Sequence, residues 1–156
     1  MSEQKAYSPK VHPGLTFVIL LGLCYWAQWL YPLSFPEKVQ DHRFWFAGAC
    51  LSIGTIIGGL AFMAMKKCGT PVEPGSEADK LVTCGLFRFS RNPLYIALLF
   101  WSLAFAGFSG SFWFIFGTLY LFFVLNFMVI PQEEKYLLKR FGAEYEEYRK
   151  KVRRWV

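Results

Sequence analysis

The chain has 156 residues, 54% hydrophobic, 20% aromatic and only 18% charged, with a formal net charge of +6. A water-soluble domain carries nearer a quarter charged residues and cannot hide this many rings in a core of such size, while a disordered chain would be poor in them. The length allows one domain, and the four cysteines (Cys24, Cys50, Cys68 and Cys84) are far apart with no CxxC pair, which speaks against a disulfide framework or a zinc site.

In chain order, four apolar runs appear, at 15–33, 44–65, 93–108 and 112–130, none holding Asp, Glu, Lys or Arg. About 20 apolar residues in a helix cross the roughly 30 Å of hydrocarbon in a bilayer. The first, second and fourth runs reach that length; the third is shorter and starts below the membrane surface. The first run is too long for the apolar part of a signal peptide and is read as a retained span. The expected fold is all-α: an integral membrane protein with about four transmembrane helices and a C-terminal interfacial amphipathic helix, in one domain.

Positive charge sets the expected orientation. The N-terminal arm (Lys5, Lys10), the second loop (Lys66, Lys67, Lys80, Arg88, Arg91) and the tail from Lys135 to Arg154 hold fifteen of the seventeen Lys and Arg; the first loop holds Lys38 and Arg43, and the third none. Both termini are therefore expected on the cytoplasmic side. The basic excess then reads as topology, and no nucleic-acid partner is expected.

The third and fourth runs are joined only by the short, uncharged Gly107-Phe-Ser-Gly-Ser111. They are expected to form an antiparallel hairpin whose outer ends bring two segments together, 81–95 and 131–148. In the first, Gly69, Pro71, Pro74, Gly75 and Ser76 mark turns, and LVTCGLFRFSRN shows no clear helix. Asn92-Pro93 reads locally as a helix cap followed by proline at the first helical position, with Arg88 and Arg91 on lipid phosphates. In the second, Pro131 marks a new helix or a kink. Glu133 and Glu134 either complement a helix dipole or face a cationic ligand group. Beyond Gly142, the residues Phe141, Tyr145, Tyr148, Val152 and Trp155 form one helical stripe, against the membrane interface or against the protein's own core. His12 and His42 are isolated, and no metal site is expected.

Two stretches together carry a resemblance. Leu81-Val-Thr-Cys-Gly85-Leu-Phe87-Arg-Phe-Ser-Arg91-Asn92-Pro93-Leu-Tyr95 resembles one signature of the isoprenylcysteine carboxyl methyltransferase and phospholipid methyltransferase superfamily of membrane proteins. Glu133-Glu134-x-x-Leu137, followed by Phe141-Gly142, Tyr145, Tyr148 and Val152, resembles its C-terminal partner. The resemblance covers residues 66–156. It implies a membrane-enclosed, cytoplasm-facing site for S-adenosylmethionine, with Gly85, Phe87, Asn92, Pro93, Tyr95, Glu133, Glu134 and Leu137 as candidate cofactor-binding residues. Asn92 stands where many members have histidine, so a histidine proton shuttle is not expected.

The chemistry of these residue types agrees. Either glutamate pairs with the cofactor's ammonium, and Arg88 or Arg91 with its carboxylate or with an anionic acceptor. Phe87 and Tyr95 offer ring faces to adenine or sulfonium. Glu134 and Arg91 are the candidate catalytic residues, Glu134 as the base if the acceptor is an amine. The expected function is methyl transfer to a lipophilic acceptor, isoprenylcysteine carboxyl methyltransferase-like, or else phospholipid or amine N-methylation. An NADPH-dependent sterol-type reductase, with Arg88, Arg91, Lys139 and Arg140 as phosphate ligands, and a non-enzymatic scaffold are the competing classes. The run Gly54-x-x-x-Gly58-Gly59 offers close helix approach within one molecule or between two.

Overall fold

The computed structural model describes residues 12–69 and 80–156, and within them the chain is helical. The N-terminal arm with Lys5 and Lys10, and the turn formers Pro71, Pro74, Gly75 and Ser76, lie outside the described residues. Helix α1 is Pro13–Leu30, α2 Glu37–Gln40, α3 Arg43–Lys67, α4 Pro93–Ser109, α5 Phe112–Val124, α6 Ile130–Phe141 and α7 Ala143–Lys151. The helices α1 and α3 and the continuous Phe112–Phe141 rod are long and apolar enough to cross a membrane; α4 is shorter. Outward-facing Trp26, Trp29, Trp45, Phe62 and Phe123 are more than two-fifths exposed. Aromatic surface this extensive suits lipid rather than water. The chain is an integral membrane protein.

Helix α1 starts at Pro13 and stops three residues short of the expected 33. Proline at position 32 restricts Tyr31 to extended backbone, and Tyr31 indeed leaves the helix at φ −134°, ψ 86°. The strand-like continuation is tied down at once. Gln28 Oε1 accepts from the Leu33 N–H (3.0 Å) and from the Ser111 hydroxyl (2.7 Å), and Ser34 pairs with Ser111. The first and third loops therefore share one end of the bundle. Arg43 lies there too, donating to the Phe108 carbonyl at 2.9 Å.

The close approach of α3 to α4 rests on small residues. Gly54 and Gly58 face Ala97 and Trp101, and Ala47 faces Gly107. The small-residue run therefore works inside the molecule. The α4–α5 turn needs Gly110, at φ +64°, and Ser111 accepts from the Trp113 N–H as the cap of α5. Midway along the hairpin, the Ser102 and Thr118 hydroxyls share a buried hydrogen bond of 2.7 Å.

Pro131 does not break the rod. A proline removes one helical hydrogen bond and presses its ring on the carbonyl four residues back, here Phe127. That residue sits in a wider π turn, Leu125–Val129, which makes the room and carries α5 into α6. The apolar stretch of this rod ends at Ile130, and Pro131–Phe141 brings Glu133, Glu134, Lys135, Lys139 and Arg140, a composition that places it outside the hydrocarbon. Gly142, at φ +53°, turns the chain into α7.

The tail does not run on as helix. Val152 is extended (φ −121°, ψ 131°), and Arg153 pairs in parallel with Ser90, the Arg91 N–H donating to the Arg153 carbonyl at 3.0 Å. The apolar stripe of α7 faces the protein's own core: Tyr145, Tyr148 and Val152 are buried with Leu81, Leu137, Leu138 and Phe141.

Adding a methyl group at Gly54 puts it 2.7 Å from Trp101 Cδ1 and 3.0 Å from the Ala97 carbonyl, whereas Gly59 has nothing within 4 Å. Gly54→Ala is expected to lower stability by about 1–3 kcal/mol, and Gly59→Ala to stay within about 0.5 kcal/mol of the parent. Unfolding in mixed micelles measures both.

Candidate functional site

The two outer ends of the α4–α5 hairpin and the tail converge on one carboxylate. Glu134, on the first turns of α6, accepts from Arg91 Nη1 at 3.0 Å. It also takes a two-pronged contact from Arg154, Nη2 to Oε2 at 2.7 Å and Nε to Oε1 at 3.1 Å. The exposures of these side chains are 11% for Arg91, 15% for Glu134 and 33% for Arg154. At such burial, one carboxylate between two guanidinium groups is a structural commitment, because removing either sign strands the other in a poor solvent.

Arg91 Nη1 also donates to the Tyr145 hydroxyl at 3.1 Å. Its Nε is buried and has no hydrogen-bond partner among the described residues. A buried guanidinium thus keeps one donor for an acceptor group. Burial pushes the Tyr145 and Tyr148 phenols up from their ordinary value, with Arg91 pulling the other way. Tyr148 thereby stays a neutral donor, and its hydroxyl holds the Phe87 carbonyl at 2.7 Å.

One residue before Glu134, Glu133 accepts from the Tyr95 hydroxyl at 2.5 Å, the closest polar contact across the hairpin. Burial raises the Glu133 carboxyl to about 7; the Tyr95 hydrogen bond lowers it, and the adjacent Glu134 charge raises it further. Tyr95 itself packs on Leu121, Val124, Leu125 and Val129. The ring is held by α5 and the π turn while its hydroxyl reaches α6.

The expected residues divide. Arg91, Tyr95, Glu133 and Glu134 are brought together, and Asn92 and Pro93 adjoin them. Asn92 occupies the cap position of α4 but its side chain does not cap; Nδ2 donates instead to the Arg154 carbonyl at 2.9 Å. The tail competes successfully for that amide because its backbone runs alongside. Gly85 opens a 3₁₀ turn, Gly85–Arg88, at φ +60°, where a side chain would also press on Ala64 at 3.0 Å. Leu137 packs in the tyrosine cluster of α7, and Arg88 is exposed.

Three participants lie outside the expected set. Arg154 is one of five basic residues in the last eight, with nothing to single it out. Trp155 reads as the end of a helical stripe, yet its Nε1 donates to Asn126 Oδ1 at 3.0 Å and its ring lies against Phe122. Asn126 was the legible one. A lone amide in the apolar run FFVLNFMVI is costly in lipid and marks a site. It sits on the π turn and also accepts from Arg154 Nη1 at 3.4 Å.

The profile of the phospholipid methyltransferase family matches residues 42–144. The chain belongs to this family. Protein-S-isoprenylcysteine O-methyltransferase of Schizosaccharomyces pombe is 39% identical over 97% of the chain and 67% of its own length. The protein of the same name from Dictyostelium discoideum is 25% identical over 96% of the chain and 63% of its own length. A probable one from Oryza sativa subsp. indica is 31% identical over 77% and 64%. The chain thus spans about two thirds of the length of these relatives. No solved structure matches it.

Glu134→Ala strands two guanidinium groups and is expected to cost about 3 kcal/mol of stability. Glu147→Ala removes only an exposed i,i+4 contact to Lys151 at 4.0 Å and is expected to cost less than about 0.5 kcal/mol. Equal effects of the two in denaturant titrations would show that the Glu134 cluster does not bind the three segments together.

Proposed function

We propose that this family member is a membrane methyltransferase that takes its methyl group from S-adenosylmethionine. Its acceptor is lipophilic and reaches the site sideways from the bilayer. The observation that carries this reading is the meeting of the two signature segments, Tyr95 on Glu133 and Arg91 on Glu134, at one end of the bundle. The charge pattern supports a cytoplasmic position for that end.

The residues fit the cofactor's functional groups. Glu133 is the carboxylate for its ammonium, oriented by Tyr95. Arg91, with its spare Nε donor, suits its carboxylate. Glu134 has both oxygens engaged by guanidinium groups, so its part is to hold Arg91 and Arg154 in place. When bound, the cofactor supplies an electrophilic methyl group on a sulfonium, transferred by in-line displacement. The chain contributes positioning and the exclusion of water, both of which favour a step that neutralises charge.

A carboxylate acceptor needs no deprotonation, and the engagement of Glu134 leaves it ill placed to serve as a base for an amine. This favours methyl-ester formation, the O-methylation for which the three relatives are named, over N-methylation of a phospholipid amine. Labelled cofactor offered with an S-isoprenylated cysteine derivative and, separately, with phosphatidylethanolamine distinguishes the two. Incorporation into the lipid amine alone overturns the preference; incorporation into neither overturns the activity.

S-adenosylhomocysteine, which retains the ammonium and carboxylate, is expected to bind the purified protein saturably in calorimetry. Glu133 must be ionised to pair with the ammonium, so binding releases a proton near neutral pH. Affinity is expected to rise with pH toward a plateau above about pH 8 and to fall about tenfold per unit below about pH 6. Glu133→Gln keeps an acceptor for Tyr95 and is expected to weaken binding at least tenfold and to flatten this profile. A profile unchanged by the substitution removes Glu133 from the cofactor site.

A further inference from the structure

The four cysteines are free thiols, but they are not equivalent. Cys24 and Cys50 are buried inside α1 and α3, and the Cys24 thiol donates to the Trp113 carbonyl at 3.3 Å. Cys68 and Cys84, sixteen positions apart and distant by sequence pattern, are brought into contact, Sγ to Sγ at 2.8 Å. Both are partly accessible and both lie beyond the spans: Cys68 ends α3, and Cys84 precedes the 3₁₀ turn at Gly85. Neither touches the Arg91–Glu134–Arg154 cluster through any contact described above.

We propose that Cys68 and Cys84 are a redox modification site, a dithiol that closes to a reversible disulfide and pins the segment leading to Arg91 onto the end of α3. The bond requires the two sulfurs to approach from 2.8 Å to about 2.05 Å, a movement of less than 1 Å. Both residues terminate an element instead of sitting mid-helix, Cys68 at φ −83°, ψ 0° and Cys84 in extended backbone, so the adjustment does not disturb a helical hydrogen-bond ladder.

The surroundings suit exchange chemistry. The hydrogen bond to Cys84 and partial burial push the Cys68 thiol up from its ordinary value and keep it protonated at rest, while Lys67 and Lys80 pull the other way and favour the thiolate. In a reducing compartment such a pair rests as thiols and oxidises only transiently. The oxidant is a small-molecule disulfide of the glutathione class. One cysteine thiolate attacks a sulfur of that disulfide and expels one thiolate. The second cysteine then attacks the mixed disulfide and expels the other. Two electrons and two protons leave the protein, and two small thiols form.

The mechanical consequence follows from what neighbours Cys84. Gly85 already lies close against Ala64 of α3, Cys84 Sγ points at the Ala64 carbonyl at 3.8 Å, and Phe87 is held by Tyr148. A covalent tie removes the freedom of this turn to lift from α3 and α7, and with it that of Ser90 and Arg91 immediately beyond.

The full chain in detergent is treated with oxidised glutathione, alkylated under denaturing conditions and mapped by mass spectrometry. The expected result is a peptide pair linked through Cys68 and Cys84 and lighter by two hydrogen atoms, with Cys24 and Cys50 alkylated, all reversed by dithiothreitol. Cys68→Ser and Cys84→Ser are each expected to abolish the link and leave one glutathione adduct on the remaining thiol. Four alkylated cysteines, links between chains, or separate adducts on both thiols of the parent overturn the site. Amide exchange at residues 85–90 is expected to slow at least tenfold in the oxidised protein; unchanged exchange overturns the pinning. None of these readouts depends on methyl transfer, so they stand or fall apart from the proposed activity.

Discussion

A single carboxylate, that of Glu134, fastens three parts of the chain that lie far apart in sequence. Arg91 precedes the hairpin, Glu134 follows it, and Arg154 belongs to the tail; their ion pairs span 20 and 43 positions of sequence. The cluster works because it is shielded. The same three charges in open water would contribute little, since exposed pairs are screened and must overcome the entropy of long side chains. Here Tyr145 of α7 and Asn126 of the π turn lie against it, and the cost of leaving any one charge alone enforces the arrangement.

The hairpin supplies the rest of the geometry. Gly110 and Ser111 fix a short turn, Ser102 and Thr118 lock the two helices at mid-height, and Gly54 and Gly58 let α3 lie close behind them. The opposite ends of α4 and α5 are then held at one separation, which is what allows Tyr95 to reach Glu133. The π turn at Leu125–Val129 makes a second contribution. By absorbing Pro131 without a break, it keeps α6 in line with α5, and it turns Asn126 toward the tail.

Much of this was legible in the sequence. Uncharged runs of span length locate the helices to within a few residues, and a five-residue uncharged link dictates an antiparallel pair. The paired signatures point to the residues that meet. What stayed hidden depends on competition between partners. Asn92 looks like a cap because local spacing says so, but a backbone carbonyl from 62 positions away takes its amide. Pro131 reads as a new helix or a kink; α6 does begin beside it, and only the widened turn before it removes the clash that would bend the rod. Arg154 is invisible among its basic neighbours, since which arginine turns inward depends on the extended backbone from Val152 onward. Cys68 and Cys84 look remote because nothing local reveals that the turn at Gly85 returns to the end of α3. Asn126 did leave a signal, an amide out of place in an apolar run, but it was absent from the expected site residues.

The strip of chain from Val152 to Trp155 has an implication for biosynthesis. Translation proceeds from the N-terminus, and this strip leaves the ribosome only after helices α1 to α7 have been made. Until then Arg91 and Glu134 lack their third partner, Asn126 lacks both of its donors, and Ser90 has no neighbouring backbone alongside. Membrane insertion and completion of the polar cluster are therefore separate events in time, and the nascent protein passes through a stage in which its spans are in the bilayer and its polar end is still ajar.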